Sequence, residues 1–398
     1  MIGSTPSRPP FPVTLDNWQT AEQVGWTFCH IAEIFPTATI SRGSERAVPL
    51  SRHITSFADL TCRDADGESS TVGAIMKATE TDGWMVVHEG KVVVEQYAGA
   101  MEPDTLHLLM SVSKSIVGIL LGALAGQGVL SVDEQVTAYV PELEHSGYRG
   151  ATVRHLLDMR SGIEFSEDYL DPNSGVRLLE QAMGWAPRSS QGVPPTLRGF
   201  LLTLQQIREH GGPYEYRSCE TDVLGWVCEA AAGQRFPELA GELIWSRLGT
   251  DFDANIGVDS EGTGLFDGGI SAALCDLARL GVMICRDGTS MTNQQVVPET
   301  WIEGSFAGGP DSREAFASSP DVIRMPGGMY RNQFWFPRPE RQVLLCLGIH
   351  GQMIYVDRAT GLVAVKLSSW PTPQDSWKLY STLAAFDAIN AELALHSP

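Results

Sequence analysis

The sequence predicts a mixed α/β protein. One central antiparallel sheet, built from N- and C-terminal segments and flanked by helices, carries an inserted, mainly helical domain. Strand-like alternation occurs in "DGWMVVHEGKVVVEQYAG" (82–99) and again near the C-terminus, whereas residues 106–250 show helical spacing of apolar positions. Because strand-like segments stand on both sides of the helical region, the C-terminal strands must pair with the N-terminal ones to complete one sheet. We therefore predict a discontinuous sheet domain, residues 1–105 and 262–398, and a helical domain, residues 106–261, with a site in the groove between them.

The elements expected within this framework follow from local patterns. Turn signals separate the strands, and glycines follow several of the helices. In chain order we predict a helix at 21–35, a hairpin at 82–99, helices at 107–128, 151–162 and 218–233, a loop and helix at 264–288, strands at 341–351, 352–357 and 361–369, and a final helix at 374–394.

Composition excludes several classes of partner. The chain has 398 residues, of which 43% are hydrophobic, and a formal net charge of −20. Such a surface repels phosphate backbones and anionic headgroups, so we predict no nucleic-acid partner and no membrane partner. The longest apolar run, 116–125, is also shorter than the roughly 20 residues that a membrane span needs.

Cysteine usage and the N-terminal segment indicate the compartment. The seven cysteines include no C-x-x-C pair, which argues against a disulfide framework and a structural zinc site. The segment "MIGSTPSRPPFPVTLDNWQ" lacks the apolar core of a signal peptide. We therefore predict a reduced, cytoplasmic protein.

The segment "HLLMSVSKSIVGILLGALAGQG" (107–128) carries a lysine in the most apolar predicted helix. Positions i and i+3 share one helix face, so Ser111 and Lys114 lie one turn apart near the helix N-terminus. Apolar surroundings are expected to lower the pKa of the lysine to a range in which its amine can accept a proton. The helix N-terminus favours the negative charge that develops on an attacked carbonyl oxygen. The alternative is a lysine that extends to solvent beside an N-cap serine. None of the other four lysines follows a serine at this spacing.

The same helix is narrow on one side. Gly118, Gly122 and Gly126 recur every four residues, and each interior glycine costs roughly 1 kcal/mol relative to alanine. We therefore predict that another element packs closely against this face.

Other sequence patterns exclude competing site types. The histidines show no H-E-x-x-H or other ligand spacing, so we predict no metal. There is no G-x-S-x-G elbow, and Asp267 interrupts the glycine pattern of "GTGLFDGG", so a dinucleotide cofactor is not supported.

The motifs together resemble the serine β-lactamase and penicillin-binding-protein superfamily, in particular its class C β-lactamase-type branch. Ser111-x-x-Lys114 matches the first motif and Tyr216-Arg217-Ser218 the second; Tyr214 is a rival that lacks the Y-x-[NS] context. The third motif corresponds to His350-Gly351-Gln352, and "TVRHLLDMRSGI" (152–163) matches a further habitual segment.

Within this superfamily the chain is most similar to the 6-aminohexanoate-dimer hydrolases, which degrade nylon oligomers, and to their esterase relatives. The segments "HLLMSVSKS", "VPEL", "EDYLDP", "TDVLGW", "GIHGQ" and "VKLSSWP" carry this likeness, which extends over residues 80–395. The resemblance implies a β-lactamase-like fold and a homodimer.

The resemblance also implies roles for the motif residues. Ser111 is the nucleophile that forms an acyl-enzyme, and Lys114 and Tyr216 share the proton transfers, with the primary base left open. The backbone N–H groups of Ser111 and Ile349 form the oxyanion hole. His350, in the substrate-facing third motif, stands where a Lys/Thr pattern is more frequent, so no cation is present to hold a β-lactam carboxylate.

Five further side chains are expected around the substrate, four of them with a structural alternative. Tyr169 matches a position that contacts substrate in the nylon-oligomer hydrolases, or else is a loop tyrosine. Glu180 attracts a substrate ammonium from the roof of the groove, near Trp185, or is a solvated surface residue. Asp267 faces the groove or belongs to a plain turn. Trp335 lines the acyl pocket or packs in the core.

These observations predict a serine hydrolase that cleaves linear amides or carboxylic esters through an acyl-Ser111 intermediate, without a cofactor. One alternative in the same fold is a β-lactamase or D-Ala-D-Ala peptidase. A second alternative, from another class, is a non-catalytic binding protein.

Overall fold

The computed structural model describes residues 8–99, 101–188 and 192–396. Its strands, in chain order, are β1 Thr37–Ile40, β2 Ser51–Arg52, β3 Thr61–Arg63, β4 Ser69–Thr71, β5 Thr81–His88, β6 Lys91–Tyr97, β7 His107–Leu108, β8 Ala254–Gly257, β9 Ile270–Ala272, β10 Met329–Arg331, β11 Phe334–Phe336, β12 Val343–Gly348, β13 Gln352–Asp357 and β14 Leu362–Ser368.

The helices surround these strands. They are α1 Val24–Thr27, α2 Ile31–Ile34, α3 Val72–Ala78, α4 Val112–Gly126, α5 Val136–Tyr139, α6 Val153–Leu157, α7 Gly175–Met183, α8 Leu197–Leu201, α9 Ser218–Ala232, α10 Phe236–Ala240, α11 Ser246–Leu248, α12 Leu274–Cys285, α13 Glu299–Ala307, α14 Ser312–Ala317 and α15 Ser376–His396. Short 3₁₀ turns occur at Pro141–His145, Pro320–Ile323 and Ile349–Gly351, and a π-helical turn at Gly241–Trp245.

The main sheet has eight strands in the order β10-β11-β12-β13-β14-β5-β6-β2. N- and C-terminal segments meet where β5 pairs antiparallel with β14, with Val87 opposite Val363. Only the edge pair of β2 and β6 is parallel. The predicted hairpin is β5–β6, and its two-residue turn has positive φ at both Glu89 (49°) and Gly90 (77°), as a tight hairpin requires. The predicted sheet of N- and C-terminal strands is therefore confirmed.

Helices cover both faces of this sheet. On one face α12 packs so closely that a Cβ on Gly281 would meet Val363. On the other face Phe386 of α15 packs on Trp84 and Tyr355 of the sheet, at ring-centroid distances of 6.5 and 5.9 Å. The two faces bury separate apolar clusters, which is the layered arrangement that a sheet with two covered faces requires.

A second sheet, in the order β1-β8-β9-β7, was not predicted. Its strands have only two to four residues, too few for an alternating pattern to be recognised. It joins β1 from residues 1–105, β7 and β8 from residues 106–261, and β9 from residues 262–398. The division into two domains at these boundaries stays a prediction.

The predicted helix at 21–35 is interrupted at Phe28–His30 and forms α1 and α2 instead. Tertiary contacts fix this segment: Trp18 is buried, and its indole N–H donates to the carbonyl oxygen of Trp185 at 2.7 Å. The N-terminal segment thereby supports the end of α7.

Helix α4 is enclosed on all sides. A Cβ on Gly118 would lie under 3.0 Å from the carbonyl oxygen of Asn332, and one on Gly122 would meet Val297 and Trp301 at 2.6 and 2.7 Å. Gly126 packs against Pro298 in the same way. The close packing predicted from the glycine repeat is confirmed. Among the helices of the described ranges, none has the length and apolar character needed to cross a membrane.

Candidate active site

Ser111 lies at the junction of β7 and α4. It is the N-cap residue of α4, and Met110 before it has a φ of 46°, a conformation that is unfavourable for a non-glycine residue. The Lys114 amine donates to Ser111 Oγ at 3.0 Å and to the Asp267 carbonyl oxygen at 2.7 Å. The lysine is therefore held against the serine, as the i, i+3 spacing predicts.

The two neighbouring serines have structural partners. Ser113 Oγ accepts a hydrogen bond from the Ile270 N–H at 3.1 Å, and Ser115 Oγ donates to the Gln333 carbonyl oxygen at 2.8 Å. Both side chains are buried. Of the three serines at the start of α4, Ser111 is the one that lines a cavity.

The environment of Lys114 contradicts one expectation. Burial acts most strongly, and it lowers the pKa of Lys114 as the sequence predicts. The surrounding acidic groups nevertheless outweigh burial, and the pKa of Lys114 is raised above its ordinary value. These groups are Tyr216, Asp267, Glu167 and Asp222. They come from three separate segments of the chain, so the sequence around Lys114 could not reveal them.

Tyr216 completes the group around Ser111. Its ring lies over the Lys114 amine at 5.3 Å and stacks on Trp335 at 5.3 Å. Burial raises the pKa of the Tyr216 hydroxyl, while the Lys114 charge and hydrogen bonds to Ser111 and Lys114 lower it less strongly. Tyr214, the rival tyrosine, is instead buried against Phe316 and Tyr330.

Gly348, at the end of β12, allows the third motif to lie close to Ser111. A Cβ on Gly348 would meet the Leu109 carbonyl oxygen at 2.5 Å and Met110 Cβ at 3.2 Å, so the end of β12 rests on the turn that carries Ser111. Among the turn and loop hydrogen bonds of the described residues, neither the Ser111 nor the Ile349 N–H is a donor. Both residues line the same cleft.

The side chain of His350 does not reach this cleft. His350 has a φ of 60°, and its buried imidazole contacts the Trp370 carbonyl oxygen at 2.6 Å and packs on Phe28. Burial lowers its pKa to about 4. His350 is not among the cleft-lining residues, because the left-handed backbone turns its side chain into the core.

A cleft of about 480 Å³ opens beside Ser111. Tyr169, Tyr216 and Trp335 contribute aromatic walls. The predicted positions of Tyr169 and Trp335 at the groove thus agree with their placement here. Further apolar lining comes from Phe165, Met325, Leu347, Met353, Trp370 and Leu379.

A second, smaller cavity of about 30 Å³ begins on another side of Ser111. Glu180, Trp185 and Asp267 line it together with Met110 and other apolar residues. Asp267 Oδ1 and the Trp185 indole N–H are buried there without hydrogen-bond partners in the described structure. Two of the residues that line this cavity therefore carry buried polar atoms without a hydrogen bond.

Glu180 is not the solvated surface residue of the second alternative. It lies within α7 rather than in a loop, it is buried, and burial raises its pKa. Its carboxylate pairs with Arg177 at 2.7 Å and accepts from Gln19 at 3.0 Å. A ligand at this carboxylate would share it with Arg177.

Glu167 and Asp222 were missed by the sequence reasoning. Glu167 lines the large cleft, accepts a hydrogen bond from the Ser218 N–H, and has a second buried oxygen without a partner in the described structure. Asp222 accepts from the Asp267 N–H at 3.1 Å. The only sequence signal for Glu167 was its place in "EDYLDP", two residues before Tyr169.

One group of possible metal ligands occurs among the described residues, formed by Asp251, Cys275 and Asp276. Arg279 pairs with Asp251 at 2.8 Å and with Asp276 at 2.9 Å. The guanidinium therefore already pairs with both carboxylates and offsets one of their two negative charges. None of the three residues lines the cavities at Ser111.

The fold and the Ser111–Lys114 pair, set between a two-faced sheet and a helical region, define a serine hydrolase of the Ser-x-x-Lys type. The sequence pattern of the Beta-lactamase family matches residues 69–387. The chain belongs to this family, and it is an enzyme of amide or ester hydrolysis.

Similar proteins support this assignment. A 6-aminohexanoate-dimer hydrolase from Paenarthrobacter ureafaciens is 39% identical over 367 residues, covering 90% of this chain and 89% of that protein. Esterase EstB from Burkholderia gladioli is 29% identical over 194 residues, 46% of either chain. A solved structure from Bacillus anthracis superimposes with a TM-score of 0.88 over 99% of this chain and 100% of that one; at 23% identity it shows the fold.

Proposed function

We propose that this enzyme cleaves linear amides and carboxylic esters through an acyl-Ser111 intermediate. The observation that carries the proposal is the 3.0 Å contact between Lys114 Nζ and Ser111 Oγ where the two cavities meet. A serine hydroxyl becomes nucleophilic when an adjacent group can take its proton.

The reaction proceeds in two steps, acylation of Ser111 and hydrolysis of the acyl-enzyme. Ser111 Oγ attacks the carbonyl carbon, its proton passes to the Lys114–Tyr216 pair, and the carbonyl oxygen becomes negative near the Ser111 and Ile349 N–H groups. The C–N or C–O bond then breaks as the pair returns a proton to the leaving nitrogen or oxygen. Water attacks the acyl-enzyme in the second step, which releases a carboxylic acid and restores Ser111.

We propose a linear 6-aminohexanoate dimer as a substrate, and hence nylon-oligomer degradation as an activity. The 39% identical relative bears that name. We place the terminal ammonium of the acyl chain near Glu180 and Asp267, which line the small cavity beside Ser111.

We further propose that the enzyme works in the cytoplasm as a homodimer of two-domain subunits. Its seven cysteines are all free, which suits a reducing compartment. Light scattering of the purified protein would test the oligomeric state, and fractionation of cells that express it would test the compartment.

The decisive test combines labelling and turnover. We expect a fluorophosphonate to label the wild type but not Ser111→Ala, and Ser111→Ala to lose at least about 10³-fold in kcat on a short acyl ester and on the linear dimer. Ser115→Ala, the same change one helix turn away, should label and turn over.

Three outcomes separate the proposals. If Ser111→Ala retained turnover, Ser111 would not be the nucleophile. If the wild type hydrolysed esters but released no 6-aminohexanoate, the dimer would not be a substrate. Rapid nitrocefin turnover with no action on linear amides or esters would favour the β-lactamase alternative.

A further inference from the structure

The cleft beside Ser111 contains a side-chain cation that the proposed chemistry does not use. Arg324 directly follows the 3₁₀ turn Pro320–Ile323 and lines the same cleft as Ser111. It is the only lysine or arginine among the described cleft-lining residues.

The Arg324 guanidinium is incompletely paired. Its nearest carboxylate, Asp321 Oδ1, lies at 3.6 Å, which is beyond hydrogen-bond distance, and 34% of the Arg324 side chain is exposed. Within the described part of the chain, no hydrogen bond from this guanidinium is formed. Arg324 therefore brings a planar guanidinium with N–H donors free of hydrogen bonds to the lining of the cleft.

Of the four acidic groups that line the cleft, Asp321 is the one that faces Arg324, at 3.6 Å, and the other three have other partners. Glu215 pairs with both Arg208 and Arg217. Asp375 accepts a hydrogen bond from the Lys378 N–H at 3.0 Å, at the start of α15. Glu167 accepts a hydrogen bond from the Ser218 N–H. These partners reduce the repulsion that a second anion would meet in the cleft.

Apolar side chains share the cleft with Ser111 and Arg324. Trp335, Leu347, Met353, Trp370 and Leu379 form this lining. An aliphatic chain can lie along such a surface while a charged end reaches a polar group. The cleft volume of about 480 Å³ is sufficient for a small extended substrate.

We propose that Arg324 binds a carboxylate at the far end of the leaving group, so that the enzyme prefers linear amides and esters whose amine or alcohol half is an ω-carboxylated aliphatic chain. This inference rests on the proposed hydrolase function and adds a specificity-determining residue to it. Guanidinium and carboxylate form paired, charge-assisted hydrogen bonds, which a neutral terminus cannot match.

Two substrates that differ only in terminal charge test the proposal. 6-Acetoxyhexanoate and 6-acetoxyhexanamide both release acetate from the same ester bond. We expect wild type to favour the carboxylate in kcat/KM by about fivefold, and Arg324→Gln to abolish this preference mainly through KM. Arg338→Gln is the matched control, because Arg338 pairs with Asp387 at 3.1 Å and does not line the cleft.

A binding measurement makes the test independent of turnover. A change in the intrinsic fluorescence of the ten tryptophans, of which Trp335 and Trp370 line the cleft, should report binding of hexanoate and hexanamide to wild type, Arg324→Gln and Arg338→Gln. Tighter binding of hexanoate that disappears only in Arg324→Gln supports the proposal. The proposal is overturned if wild type and Arg324→Gln show the same preference for hexanoate over hexanamide in binding, or the same ratio of kcat/KM between the two acetoxy substrates. If fluorophosphonate labelling is absent but hexanoate still binds, the hydrolase function alone is refuted.

Discussion

At the level of single residues, charged groups from distant segments of the chain set the pKa values of the two groups beside Ser111, Lys114 and Tyr216. The pKa values of both Lys114 and Tyr216 are raised, so both groups retain their protons at neutral pH. Glu167 contributes to both shifts, because a carboxylate stabilises the Lys114 ammonium and destabilises a Tyr216 phenolate. The Lys114–Tyr216 pair must lose one proton before it can accept the hydroxyl proton of Ser111. We therefore expect activity to rise toward alkaline pH.

The substitution Glu167→Gln should move this dependence in a defined direction. Loss of the carboxylate charge lowers the pKa of Lys114 and of Tyr216 together. The acidic limb of the kcat/KM profile should therefore shift to lower pH, while the amide oxygen of the new side chain can still accept a hydrogen bond from the Ser218 N–H. Ester hydrolysis measured from pH 5 to pH 10 checks this.

The control for this variant is Glu164→Gln, the same charge change on an exposed residue of the same loop. It should leave the profile in place. A Glu167→Gln profile that coincides with wild type, or that shifts to higher pH, would show that Glu167 does not govern the Lys114–Tyr216 pair.

At the level of elements, the end of β12 and the start of α4 must approach within van der Waals contact. Gly348 allows this approach because it has no Cβ to meet the Leu109 carbonyl oxygen. The contact sets the position of the Ile349 N–H relative to Ser111, which determines how well the pair can bind an oxyanion.

Gly348→Ala is expected to reduce kcat by about 10²-fold, because the added methyl displaces one oxyanion donor from the other. Crowding of this kind also costs about 1–3 kcal/mol of stability. Turnover of a short acyl ester, together with urea denaturation, measures both effects.

Gly304→Ala serves as the reference substitution. Gly304 lies in α13 with no atom within 4 Å of an added Cβ, so alanine should preserve activity and slightly raise stability. Wild-type turnover by Gly348→Ala would mean that β12 does not position the oxyanion donor.

At the level of the whole molecule, a second buried lysine lies inside the main sheet. Lys366 on β14 donates to the Thr79 carbonyl oxygen at 3.1 Å and to Ser368 Oγ. Ser368 is in turn bonded to Gln352 of β13 through both its N–H and its carbonyl oxygen. The lysine therefore connects the sheet interior to the third motif, and burial lowers its pKa to about 7.

This burial makes global stability depend on pH. Between pH 7 and pH 10.5 the unfolded chain binds a proton at Lys366 that the folded protein does not, so stability rises with pH across this window. The free energy of unfolding of Lys366→Met minus that of wild type should therefore be larger at pH 7 than at pH 9, by about 1 kcal/mol per pH unit, because only wild type gains stability as the pH rises.

Urea denaturation at pH 7 and pH 9 measures this difference, with Lys77→Met as the exposed control on α3. A stability difference between Lys366→Met and wild type that is the same at both pH values would contradict a lowered pKa for Lys366.

The parts of the fold that could be predicted are those with strong local patterns. The β5–β6 hairpin, α4 with its glycine repeat, α9 and α15 follow from periodicity and turn residues close in sequence. The β1-β8-β9-β7 sheet could not be predicted, because its strands are short and two of its three pairings join distant segments, such as Thr37 with Gly257 and His107 with Ala272.

By itself, the sequence determined that Ser111 and Lys114 share one face of a helix, because helical geometry is local, and the family motifs indicated Tyr216 and Ile349 beside them. Only the tertiary structure decided that the pKa of Lys114 is raised, that His350 turns into the core, and that Glu167 and Arg324 enter the cleft. These properties depend on sums of charges and on steric contacts between segments far apart in the chain, and no local pattern records them.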